Sequence, residues 1–210
     1  MIHRIFKVLQ PEFRAFGLNI KIDGTLSIFF ILLLAFWPQD ILFFLIVYLS
    51  VLFHEIGHAV AGKHFKKNIA LLTINCLGGA VLFSGVSLWS FKEKMIISAS
   101  GPFASLLLGL GAFALKDFLP VHFELIFLMN AVVMCGFNML PVVPLDGGRC
   151  WEALCDRWWP YRGKYVLYIT GVVVSTLVLL GALYWKAWIL AIFAFIGAVI
   201  NFVAIPKRRK

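Results

Sequence analysis

The chain has 210 residues, 62% of them hydrophobic and 16% aromatic, and its mean hydropathy of +0.94 excludes an ordinary soluble globular domain. Its formal net charge of +9 would suggest nucleic acid in a soluble protein, but the basic residues gather between apolar runs, as in the loops of a membrane protein. Nucleic-acid binding is therefore not expected.

Residues 1–23 read as a lead before the first apolar run. Met1-Ile2-His3-Arg4 is not followed by the apolar core and small-residue site of a cleaved signal peptide, so the N-terminus is expected to be retained. Residues 17–23 alternate with a period of two, which predicts a strand with a surface role. Apolar runs then follow at 25–37, 41–62, 95–115, 123–140, 165–185 and 187–205, the first of them short of the ~20 residues a helix needs to cross a bilayer. Between the second and third runs, 68–75 and 80–83 read as strands joined by a turn or kink at Cys76-Leu77-Gly78-Gly79. The glycine pair is either a simple turn or a place where another backbone comes close. The expected fold is all-α and polytopic, with about six transmembrane helices and a small membrane-associated β-hairpin or sheet, in one domain over 1–210.

Seventeen of the nineteen Lys and Arg residues fall at the termini or in the loops after the second and fourth runs; only Lys116 and Lys186 lie on the other side. The positive-inside rule then places both termini in the cytoplasm of a multi-pass cell-membrane protein. Cys76, Cys135, Cys150 and Cys155 have no CxxC spacing and receive no redox or metal role. Trp37, Trp89, Trp158, Trp159, Trp185 and Trp188 fall near run ends, as an interfacial belt does.

Inside the second run stands His54-Glu55-Ile56-Gly57-His58. On a helix, histidines at i and i+4 share a face and can reach one zinc ion, with Glu55 beside its open position. A catalytic zinc takes a third protein ligand, and ionisable residues in apolar spans are rare because each costs about 2.5–3.5 kcal/mol on insertion scales. Asp146 is the best candidate, in Asn138-Met139-Leu140-Pro141-Val142-Val143-Pro144-Leu145-Asp146-Gly147-Gly148-Arg149, where two prolines break the fourth helix just before the acid. His54 lies ~12 Å inside the basic end of its span at 1.5 Å per residue, and Asp146 comes at the same end, so both sets of ligands converge on the cytoplasmic half. The alternative is that Asp146 caps the next helix or turns the chain. His3, His64 and His122 have no partner at metal spacing and read as interfacial or solvated; Asp40, Asp117 and Glu124 read as outer-loop charges.

These residues resemble the site-2 protease family of intramembrane zinc metalloproteases. The resemblance rests on the pentad at 54–58, Gly78-Gly79, Gly101-Pro102, and the Asn138, Pro141, Pro144, Asp146-Gly147 pattern, and covers about 20–150. It implies Asp146 as third zinc ligand, Glu55 as the residue that activates water, Asn138 as a holder of the substrate backbone, and Gly78-Gly79 as part of an edge presented to an unwound substrate. The arrangement is also similar to the branch that processes a sporulation sigma-factor precursor, with six spans and no PDZ insertion. Two departures are Ser105, where many members carry Asn, and Cys76-Leu77, where many carry Pro before the glycines; both point to altered substrate handling. The nucleotide-sensing domain found in many of that branch is not expected here.

The function implied is an intramembrane zinc metalloprotease with one zinc per chain, a catalytic core at about 20–150 and accessory helices at about 164–205. It would act in the lipid bilayer on transmembrane or membrane-associated proteins, with room for a regulatory membrane partner. The reading from a different class is a membrane metal carrier or a catalytically silent binding protein. A carrier has no need of Glu55, and no inverted repeat is visible.

Overall fold

The computed structural model describes residues 12–15, 18–76, 78–118 and 123–206. Its chain divides into two compact units, Met1–Leu88 with Ser100–Cys135, and Trp89–Ala99 with Gly136–Lys210.

The first unit is built on a four-stranded sheet, β1 (Glu12–Ala15), β2 (Leu18–Ile22), β3 (Ile69–Asn75) and β4 (Gly78–Phe83), in that spatial order. β1/β2 and β3/β4 are antiparallel, whereas β2 runs parallel to β3 with Ile20 opposite Leu72. A parallel pair needs a long crossover. Two helices supply it: α1 (Gly24–Phe36) and α2 (Ile41–His64). Asp23 caps α1, its carboxylate accepting from the Thr25 N–H at 2.9 Å, and its own N–H donates to Ile74 O at 2.8 Å. Those Thr25 bonds hold the Asp23 carboxyl below the usual range.

The alternation at 17–23 thus yields a strand, but in a place the sequence did not suggest. β2 is an inner strand whose Leu18 is buried with Leu26, Ala59, Leu72, Ile74 and Val81 in the core. The glycine pair had two readings, a turn and a close approach. Gly78 and Gly79 are not a turn; they open β4, opposite Asn75 and Ile74. The Tyr48 hydroxyl on α2 donates to Cys76 O at 2.7 Å and ties the end of β3 to the helix.

Helix α3 (Phe91–Ala114) carries Pro102 inside it, and its residues from Ser100 onward belong to this first unit. A Cβ on Gly57 of α2 would stand 2.6 Å from Ser100 O and 2.8 Å from the Ala104 methyl, so the two helices meet at a glycine contact. The fourth apolar run begins as α4 (Phe123–Phe127) and continues as a π-helix over Leu128–Phe137. No local pattern announces that π-winding.

In the second unit the chain leaves the π-helix, passes through the irregular segment 138–145 with a cis Val143-Pro144 bond, and enters α5 (Asp146–Trp158). The expected proline break is present. α6 (Gly163–Tyr184) and α7 (Trp188–Ala204) follow as neighbours. The start of α3 joins α5 through Lys94 and Asp156 at 3.5 Å, and through the Arg157 guanidinium 4.9 Å over the Phe91 ring.

All six apolar runs fall on helices. Pro38–His64, Phe91–Ala114 and Gly163–Tyr184 are long and apolar enough to cross a membrane, while Gly24–Phe36, Glu124–Phe137 and Trp188–Ala204 are shorter apolar helices. Leu177, Phe193 and Val203 stand 64%, 61% and 75% exposed, a surface suited to acyl chains rather than water.

Candidate metal centre and active site

The pentad occupies the second half of α2, where helical pitch puts His54 and His58 one turn apart on the inner face. His54, Glu55 and His58 are all buried. Two imidazole Nε2 atoms face each other at 3.2 Å. A tetrahedral zinc with bonds of ~2.0–2.1 Å to nitrogen holds two such atoms roughly 3.3 Å apart, so the pair has the bite that a zinc ion requires.

What orients the rings lies on α3. Ser105 is fully buried, with its Oγ 3.0 Å from His54 Nδ1. With the Nδ1 proton donated to that hydroxyl, Nε2 keeps its lone pair toward His58, the tautomer a metal ligand needs. The departure at Ser105 thus stands against the His54 imidazole. Gly101, one turn earlier, makes room for His58: a Cβ there would fall on the imidazole, 2.6 Å from Cε1. The Gly101-Pro102 motif is thus a socket for the second histidine.

Glu55 faces the sheet. A Cβ on Gly79 would lie 2.7 Å from Glu55 Cγ and 3.0 Å from Val51 Cγ1, so the bare backbone of β4 rests against the acid's stem. Among the described residues β4 ends the sheet, with β3 on one side. Gly78 adopts φ of +142°, a conformation open to glycine and rarely to others.

Sequence reasoning missed Asn130. It is fully buried on the π-helix and donates from Nδ2 to Ser50 Oγ at 2.8 Å and to Ile126 O at 2.9 Å. Ser50 precedes His54 by one turn. The available signal was an uncharged amide in the middle of an apolar run, where a polar side chain bonds to a neighbour or to its own helix.

In the second unit, Asp146 is the first residue of α5. The cap is Leu145, extended and without a capping side chain, so Asp146 does not serve as the helix cap. Gly147 N–H donates to Asn138 O at 2.7 Å, which brings the two ends of the motif together around the prolines. Cys150, one turn past Asp146, has its thiol pushed up to about 11 by burial and then by the Asp146 charge. All four cysteines are free. His64 is exposed at the end of α2, and His3 and His122 lie outside the described residues.

No family model matches the chain. A zinc metalloprotease of Methanocaldococcus jannaschii is 23% identical over 172 residues, covering 75% of this chain and 47% of that protein. Stage IV sporulation protein FB of Bacillus subtilis is 30% identical over 122 residues, covering 57% of this chain and 42% of that one. The chain thus spans less than half the length of these relatives. The solved structure of a site-2 protease from Methanocaldococcus jannaschii superposes with a TM-score of 0.64 at 20% identity, over 96% of this chain and 97% of that one. The fold is shared with that structure.

Proposed function

We propose that this chain is an intramembrane zinc metalloprotease, holding one zinc on His54, His58 and Asp146 and hydrolysing peptide bonds in or near the transmembrane segments of membrane-associated proteins. The observation that carries this reading is the buried pair of Nε2 atoms at 3.2 Å, with Glu55 beside His54, on a helix apolar enough to span a bilayer. Asp146 is the third ligand because two histidines leave a catalytic zinc one protein ligand short, and the acid opens a helix without capping it. The names of the similar proteins, a zinc metalloprotease and a site-2 protease, support the metal and the reaction.

Bound zinc would polarise the scissile carbonyl and lower the pKa of a water towards neutrality. Glu55 takes a proton from the attacking water and returns one to the departing amide nitrogen. Asn138 orients the substrate backbone, and its own carbonyl is held by the Gly147 N–H. A helical substrate hides its peptide bonds in its own hydrogen bonds, so it must unwind locally before it is cut. The open edge of β4 at Gly78-Gly79 receives the extended segment and replaces those bonds. Six spans, cytoplasmic termini and a site in the cytoplasmic half of the cell membrane complete the reading, with 1–210 acting as one catalytic domain.

The deciding experiment is Glu55→Gln, which keeps the shape and removes the charge. Zinc content is expected to stay at one per chain while cleavage of a matched single-span substrate falls at least ~10²-fold. If the wild type cuts none of a broad substrate panel yet moves zinc across liposomes, and Glu55→Gln moves it equally well, the chain is a carrier.

A further inference from the structure

Asn201 lies on α7 with no exposed surface. Its carboxamide meets one residue of the irregular segment in two bonds: Nδ2 donates to Val143 O at 2.8 Å, and Oδ1 accepts from the Val143 N–H at 3.4 Å. Nδ2 also donates to Gly197 O at 2.8 Å. A carboxamide has the donor and acceptor of a peptide group, so Asn201 stands in for the strand or helix partner that Val143 lacks. Pro141 and Pro144 flank that residue and have no N–H to give, and the backbone bonds within the stretch run from Val142, Leu145 and Gly147 rather than from Val143.

Two glycines shape the slot. A Cβ on Gly171 of α6 would fall on the Asn201 carboxamide, 2.5 Å from its Cγ, and one on Gly197 would stand 3.1 Å from Ser175 Oγ and 3.5 Å from Val142 Cγ1. Beyond Val143 the chain has little freedom before Asp146. Gly147 bonds back to Asn138, and a Cβ on Gly148 would stand 2.5 Å from Val142 O and 2.8 Å from Val143 N. The segment is packed against the turn of helix that carries the acid.

We propose that Asn201 is a positioning residue for the metal centre, acting through Val143 to fix where the Asp146 carboxylate stands. The last two helices, read from sequence as accessories, then determine metal affinity. The inference rests on the reading of Asp146 as a zinc ligand, and the test separates the two.

Zinc affinity is measured on the purified full chain by chelator competition for the wild type, Asn201→Leu, Asp146→Ala and the double variant, with thermal unfolding alongside. Asn201→Leu is expected to weaken zinc by about 10–100-fold, the range for residues that orient metal ligands. In the Asp146→Ala background it should add nothing, because its effect travels through that carboxylate. The cobalt-loaded protein should also change its visible spectrum in Asn201→Leu. Wild-type affinity in Asn201→Leu, or a loss that adds fully to that of Asp146→Ala, overturns the inference and leaves the ligand reading intact. Undiminished zinc binding in Asp146→Ala overturns both. If Asn201→Leu does not fold, Gly171→Ala decides, since its methyl displaces the carboxamide without removing it: weakened zinc is expected, and wild-type affinity refutes.

Discussion

Gly101→Ala is a one-methyl test of the metal centre. The added Cβ would stand 2.6 Å from His58 Cε1 and 2.7 Å from Cδ2, whereas ordinary van der Waals contact begins at 3.4 Å. The ring must retreat by more than roughly 0.8 Å, since its Nε2 lies nearer still, and metal–ligand distances tolerate only about ±0.2 Å. The 3.2 Å approach of the two Nε2 atoms cannot survive that shift without a compensating move of α2, which Gly57 already presses against Ser100 and Ala104. Zinc affinity should fall at least ~10-fold, comparable to losing a group that orients a ligand. Gly111→Ala on the same helix is the control, because nothing lies within 4 Å of its Cβ. There the change should leave zinc untouched, and helix propensity favours Ala by about 1 kcal/mol. The assay is zinc content of purified protein across a chelator series. A folded Gly101→Ala protein with wild-type zinc affinity would show that His58 is not seated against α3 as described.

Gly79→Ala places a methyl 2.7 Å from Glu55 Cγ, so substrate cleavage should drop at least ~10-fold while zinc is retained, as for a displaced general base; full cleavage would detach β4 from the base. For orientation, Lys66→Cys in the loop after α2 should be labelled by a membrane-impermeant thiol reagent only from the cytoplasmic side. Labelling from outside alone would invert the topology and the placement of the site.

The local chemistry was legible because its spacing is helical: the pentad needs only four residues of context to put both imidazoles on one face, and Pro141 and Pro144 announce their own break. Strand alternation at 17–23 was legible for the same reason, but its neighbours were not. The parallel pairing of Ile20 with Leu72 depends on two intervening helices, and no local pattern encodes it. The glycine pair stayed open between a turn and a close approach; what decides is the Glu55 stem against Gly79, a contact from another element. The contacts of Ser105, Asn130 and Asn201 were not legible for a shared reason. Each is an uncharged polar residue in an apolar helix, and its meaning comes from the one atom it meets across a helix contact.

The parallel register of β2 with β3 bears on biogenesis. Ile20 cannot find Leu72 until the chain between them, containing all of α1 and α2, has been synthesised and the pentad with it. Closing that loop carries an entropic cost that the local β3/β4 hairpin does not share. Completion of the sheet therefore comes after synthesis of the first two apolar helices, and the finished sheet is a built-in record that the segment bearing His54 and His58 has been made.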